Sequence, residues 1–276
     1  MNPGRLTAAQ RAAFERDGFL VLPSVFSSTE VTRLRAAFDR LQAAAATLPG
    51  TGLHRGSLFV IDPAPALRIH RVVWCGAAEA ELSRFGADPR LVGLAADLLG
   101  SDHLDQLINQ AHFKLPGDEV EFPWHQDSRH RRYGTPEWTD VDGRGSFVEL
   151  ACALDPVGPD NGPLALIPGS HRLGHLSTDP VTRALPADAF DASRAVTPAL
   201  SPGDVLAFGP FVIHGSAPNR GSRPRRLFLN GFALPGANHR VYPGEGAGRS
   251  VEAPKDDLRS PTPPVTRGRQ AAARKR

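Results

Sequence analysis

Trp124-His125-Gln126-Asp127 sets an imidazole and a carboxylate two residues apart, and His214-Gly-Ser-Ala-Pro-Asn219 and Arg225 follow later in the chain. In a strand over 122–127 the side-chain period of two sends His125 and Asp127 to one face, where both can reach one cation. His214 would supply a third ligand. Two neutral nitrogens and one carboxylate suit Fe(II): they cap one face of an octahedron and leave the opposite positions for substrate, cosubstrate and oxygen.

The chain holds ten histidines, so a His-x-Asp by itself carries little. A second one, His103-Leu-Asp105, follows Gly100, where a polar loop is expected. His125-Gln-Asp127 differs because it closes an apolar strand and is answered by a histidine on another. His171 in Pro168-Gly-Ser-His171 is a rival third ligand, but a Gly-containing turn suits a structural histidine. His214 ends the apolar run Val205–Ile213, a buried strand that would hold it rigidly. Arg225 has two readings. It is either a buried guanidinium that forks onto a carboxylate, or a surface charge among Arg220, Arg223 and Arg226. Ser216, two residues past His214, could donate to the same carboxylate.

These residues need strands to position them. Thr7 reads as an N-cap with Leu6 as staple and Gly18 as the stop, and a short strand, Phe19–Leu22, follows. Ser28 caps a second helix in which Val31, Leu34, Phe38 and Leu41 form one apolar face. A third helix runs from Pro89 to Gly100. From about residue 104 short apolar or alternating runs take over: 107–115, 122–127, 146–154, 164–167, 204–208, 211–214 and 226–234. Many short strands without long helices between them argue for a mainly β fold with flanking helices (α+β), of jelly-roll or sandwich type. One domain over 1–259 and a disordered basic tail over 260–276 are expected.

The 276 residues, 41% of them hydrophobic, suffice for one large core. Cys75 and Cys152 cannot make a disulfide scaffold and lie in no Cys/His metal spacing. The first six residues lack the apolar region of a signal peptide, and no run of about 18 apolar residues exists to cross a membrane. A soluble, cytoplasmic chain without a membrane partner is expected. The net charge of +3 belongs to the tail, whose Arg267, Arg269, Arg274, Lys275 and Arg276 face no acid after Ser260, so the rest stands at −2. No nucleic-acid partner is expected from such a body.

Trp124-His-Gln-Asp127, Asn161-Gly-Pro-Leu164, Pro168-Gly-Ser-His171, Pro202-Gly-Asp-Val205 and His214-Gly-Ser-x-x-Asn219 with Arg225 together resemble the phytanoyl-CoA dioxygenase family, over roughly residues 10–235. The resemblance implies a double-stranded β-helix (jelly roll, cupin-like) that uses Fe(II), 2-oxoglutarate and O2 to hydroxylate a small molecule, releasing succinate and CO2. It implies that His125, Asp127 and His214 hold iron and that Arg225 and Ser216 hold the distal carboxylate of 2-oxoglutarate. Lys114 and Gln110 fall where the family places cosubstrate or substrate contacts. Related halogenases lose the metal-binding carboxylate; Asp127 keeps it, which favours hydroxylation. Ala151-Cys152 stands where some members carry an aromatic residue near the pocket.

Gln110, His112 and Lys114 alternate on one strand face, and Arg129, His130, Arg131, Arg132 and Tyr133 follow the metal motif directly. This concentration of donors points to an anionic substrate contacted by His112, Arg129, His130, Arg131 and Tyr133. An organophosphonate such as 2-aminoethylphosphonate is the first choice, and an amino acid or a CoA thioester the alternative. The competing readings are a solvated arginine loop with His130 and Tyr133 as packing residues. Segment 128–145, with Trp138, reads as a substrate lid. A non-redox jelly-roll module binding a metal and an anion is the rival for the whole chain, and it predicts Zn(II) or Ni(II) without oxygen consumption.

Overall fold

The structure is a computed structural model that describes residues 5–179, 185–186, 188–241 and 248–254. The expected tail 260–276 lies outside the described residues. Helix α1 (Ala8–Asp17) begins at Thr7, whose side chain accepts from the Gln10 N–H while Gln10 reaches back to the Thr7 N–H. Gly18, at φ 84°, ends it. Strand β1 (Phe19–Leu22) and helix α2 (Ser28–Ala45) follow as expected, except that the cap is Ser27, which forms a capping box with Glu30. Val31, Leu34, Phe38 and Leu41 are buried.

Three strands in the first half of the chain were not expected: β2 (Gly52–His54), β3 (Ser57–Asp62) and β4 (Arg68–Val73). Two short helices, α3 (Cys75–Ala78) and α4 (Ala80–Gly86), lead to α5 (Pro89–Leu99), which starts on an Asp88 cap and stops at left-handed Gly100. The second half supplies β5 (His103–Lys114), β6 (Phe122–His125), α6 (Asp127–His130), β7 (Phe147–Ala153), β8 (Ala165–Leu166), β9 (Val205–Phe208), β10 (His214–Ser216), β11 (Arg225–Ala233) and β12 (Arg249–Glu252). His103-Leu-Asp105, expected as a loop, opens β5 and pairs with β12.

Antiparallel pairing joins the strands into a large sheet, ordered β1-β9-β7-β11-β5-β4-β3-β2 with β12 also on β5, and a small sheet, β6-β10-β8. This is the mainly β, jelly-roll architecture that the sequence suggested. Strands β7 and β9 are buried along their whole length, because both faces of the large sheet are covered. Val148, Leu150, Cys152, Val205 and Ala207 turn outward to meet α2 and α5, and Ala151, Ala153, Leu206, Phe208 and Leu227 turn inward toward the small sheet. That double burial explains why these segments read as apolar runs without alternation. Among the described residues no helix is long and apolar enough to cross a membrane.

Phe38 locks α2 to the sheet, with its ring 5.1 Å from Phe113 and 6.4 Å from Phe228. Phe38→Ala should therefore lower unfolding free energy by about 3–5 kcal/mol in urea denaturation. A loss below about 1 kcal/mol would show that the helix does not depend on this contact.

Candidate active site

Strand β6 ends at His125, and Asp127 opens α6 instead of continuing the strand as expected. The two side chains still converge because Gln126 keeps an extended backbone, φ −117° and ψ 141°. Gln126 itself is buried and points elsewhere. Its Nε2 donates to the carbonyls of Gly174 (2.8 Å) and Phe211 (2.7 Å), and its Oε1 accepts from the Leu176 N–H (2.8 Å).

His214 opens β10; the expected strand 211–214 is instead a turn that leads into it. His214 and His125 are direct cross-strand partners, with ring centroids 4.2 Å apart. Their Nε2 atoms lie 3.9 and 3.8 Å from Asp127 Oδ1. Each Nδ1 donates to the carbonyl two residues earlier, Val212 (2.9 Å) for His214 and Pro123 (2.7 Å) for His125. That bond fixes the tautomer and leaves each Nε2 lone pair available to a cation.

Burial, reinforced by His214, pushes the His125 pKa well down, so its ring is neutral as a ligand requires. For Asp127 burial acts upward, yet His214, His125, His130 and Arg131 together hold the carboxyl below its ordinary value. His130, one helical turn past Asp127, also brings a ligand atom into range: those of His125, Asp127 and His130 lie within 4.8 Å of one another. Burial pushes the His130 ring down to about 4. Two donor sets thus share His125 and Asp127. The one completed by His214 is the more rigid, because His214 is buried on a paired strand against Phe208 (4.8 Å). The two imidazoles and one carboxylate fit Fe(II).

On the large sheet Arg225 and Lys114 are also direct cross-strand partners. Both are buried, and among the described residues neither meets a carboxylate. Arg226, the next residue, faces the other way and is clasped by Asp155 through two hydrogen bonds (2.8 and 2.9 Å) and by Asp39 (2.6 Å). The surface-charge reading therefore fails for Arg225. Its Nε donates to the Gly162 carbonyl (3.0 Å) and its Nη2 to Ser216 Oγ (3.0 Å). Lys114 Nζ donates to the same hydroxyl (2.5 Å), to the Ser216 carbonyl (2.9 Å) and to the Ala217 carbonyl. Burial lowers Arg225 to about 9; burial and then Arg225 lower Lys114 to about 6. Two desolvated cations without an acid are costly unless an anion joins them, and the distal carboxylate of 2-oxoglutarate is such an anion.

A cavity of about 730 Å³ opens beside these groups. Gln110, His112, His125, Asp127, Arg129, His130 and Arg131 stand on its wall. Lys114, Ser216 and Arg225 do not; Lys114 lies against the ring of Phe122, which does (5.5 Å). His112 stacks on the same ring (5.3 Å) and bonds Gln110 (3.0 Å), while burial, then Arg71, drive its pKa well down.

Tyr133, expected at the substrate, is absent from the wall. Its ring packs on Phe211 (5.0 Å) and His175 (5.2 Å), and its hydroxyl donates to Asp140 (2.8 Å). The expected lid is likewise pinned over much of its length. Trp138 is buried and bridges to Asn238, and Ser146 binds Asp140 and Asp142. Sequence reasoning missed Arg71 and Glu149, both on the wall. Arg71 sits on an unexpected strand, whereas Glu149 left a signal as the lone acid in Phe147-Val-Glu-Leu-Ala-Cys-Ala153.

Residues 14–227 match the family model "Phytanoyl-CoA dioxygenase (PhyH)". The ectoine dioxygenase of Sphingopyxis alaskensis is 31% identical over 246 residues, covering 81% of this chain and 74% of that one. The L-proline trans-4-hydroxylase of Streptomyces griseoviridis is 28% identical over 247 residues, covering 79% and 83%. The crystal structure of EctD from S. alaskensis with bound Fe superposes with a TM-score of 0.67 at 28% identity, over 85% of this chain and 79% of that one. The same protein has been solved with 2-oxoglutarate and 5-hydroxyectoine, again at a TM-score of 0.67, with 26% identity over 85% and 78%. The chain belongs to the phytanoyl-CoA dioxygenase family and is an Fe(II)- and 2-oxoglutarate-dependent dioxygenase.

Proposed function

We propose that the chain hydroxylates a small zwitterionic carboxylate of amino-acid type. In this reading His125, Asp127 and His214 hold Fe(II), Arg225, Lys114 and Ser216 hold the far carboxylate of 2-oxoglutarate, and Gln110 and His112 line the path between. The observation that carries it is the pair of buried cations without an acid, set across the two sheets from a two-histidine, one-carboxylate cluster.

Bound Fe(II) supplies O2 activation coupled to decarboxylation of 2-oxoglutarate. The protein's part is orientation and exclusion of water. The backbone carbonyls of Pro123 and Val212 aim the two imidazoles. Arg225 offers a planar fork to a carboxylate, and Ser216, which both cations already contact, adds a donor when its hydroxyl turns to the anion. Arg71, Arg129 and Arg131 bring positive charge to the cavity wall and suit the substrate's own carboxylate. The relatives' named substrates, ectoine and L-proline, support that class. Neither is a phosphonate, and the same arginines serve a carboxylate equally well, so the amino-acid alternative replaces the phosphonate choice.

Metal-free protein given Fe(II), 2-oxoglutarate and O2 should release succinate slowly without substrate and faster with L-proline or ectoine. Absence of both succinate release and 2-oxoglutarate binding would overturn the assignment. Asp127→Ala should lower substrate-dependent turnover more than about 100-fold with the circular dichroism spectrum retained. Arg225→Ala should raise the KM for 2-oxoglutarate by about 10- to 100-fold, far more than the KM for substrate. Arg225→Lys should rescue little, since the two-pronged geometry is lost; equal effects on both KM values would remove the clamp role.

A further inference from the structure

Glu149 has no task in the reading above. It stands at the middle of β7, 3% exposed, on the inward face it shares with Ala151 and Ala153. It lines the cavity together with His125 and Asp127, and its Oε1 meets no hydrogen-bond donor. The donor atoms that lie within 4.8 Å of one another around Asp127 do not include its own. A buried carboxylate oxygen without a donor is costly, and among the described residues no N–H uses this one.

The charges around it describe what would. Arg71, Arg129 and Arg131 present positive charge to the cavity, and Asp127 belongs to the proposed metal site. Asp179, a further acid on the wall, is exposed. Burial, then Asp127, push the Glu149 carboxyl well above its ordinary value while Arg131 acts the other way, so its charged form calls for a cation beside it. We propose that Glu149 is the specificity residue for the substrate's positively charged nitrogen, with an ammonium or amidinium N–H donating to its carboxylate while the substrate carboxylate meets the arginines. The two anchors fix the substrate at both ends and present one C–H beside Asp127. This rests on the dioxygenase site assigned above and deepens it from a small carboxylate to one whose nitrogen is read directly.

The experiment uses the full chain with Fe(II) and 2-oxoglutarate under argon, and reads substrate binding from the visible charge-transfer band of the chelate. The probes are L-proline, ectoine and tetrahydrofuran-2-carboxylate, the last replacing the proline nitrogen with oxygen at nearly unchanged shape. The wild-type protein should bind L-proline or ectoine at least about tenfold more tightly than the oxygen analogue. Glu149→Gln should erase that preference by weakening the nitrogen compounds, and Glu149→Asp should keep part of it. A preference that survives Glu149→Gln overturns the proposal, as does a wild-type protein that binds the oxygen analogue equally well or binds none of the three. If Glu149→Gln does not fold, the wild-type preference decides. Failure to form the chelate band at all would strike the underlying site assignment, and the proposal with it.

Discussion

The pairing of His125 with His214 across β6 and β10 is the constraint on which the rest of the site depends. A slip of one residue in that register would turn one imidazole to the opposite face of the small sheet. Strand β10 has only three residues, so its own ladder is too short to hold register. The turn before it does that work: the Ile213 N–H donates to Ser170 Oγ (2.9 Å), and the Ile213 carbonyl accepts from the Ile167 N–H (3.0 Å). Gly215 lets the chain pass close to β6, since a Cβ there would lie 3.1 Å from the Phe122 carbonyl. Gln126 then ties the far end of β6 to 174–176 and to Phe211.

The large sheet carries the complementary pair. Arg225 and Lys114 face the small sheet, and Ser216, two residues past His214, accepts from both. A single short strand therefore joins the candidate metal centre to the candidate anion site. Burial pushes both cations toward neutrality, so the carboxylate of a bound dicarboxylate would stabilise their charged forms in return. Phe122, on the cavity wall, touches both Lys114 (5.5 Å) and His112 (5.3 Å).

Much of this was legible in the sequence, for reasons that differ by element. Caps are local chemistry, so Thr7, Gly18, Pro89 and Gly100 mark helix ends well, and even the Ser27 cap was missed by one residue only. His125, Asp127 and His214 stood out because their types are rare together on apolar segments. Strand β4 did not, because Arg68-Ile-His-Arg71 mixes charge into both faces of a strand near the sheet's end, where pairing rather than composition makes the strand. Asp127 was assigned to a strand since nothing local distinguishes one extended residue followed by a helical turn from two extended residues. Tyr133 was misplaced because its partners Phe211 and Asp140 are set by tertiary packing. Glu149 was visible as an acid within an apolar run and was passed over.

Asn161-Gly162 shows how a motif that carries no chemistry still serves the site. Asn161 pins its own loop, with Oδ1 accepting from the Gly158 N–H (2.9 Å) and Nδ2 donating to the Pro156 carbonyl (2.7 Å). That brings the Gly162 carbonyl to Arg225 Nε and Ser216 Oγ, 3.0 Å from each. The residue at 162 sits at φ +73°, and a Cβ would come within 2.5 Å of the Ala217 carbonyl and 2.8 Å of Lys114 Cδ. Only glycine meets both demands, left-handed backbone and no side chain. The carbonyl so placed holds the Arg225 fork by one edge, which leaves its remaining N–H donors to a carboxylate with no acid among the described residues competing for them.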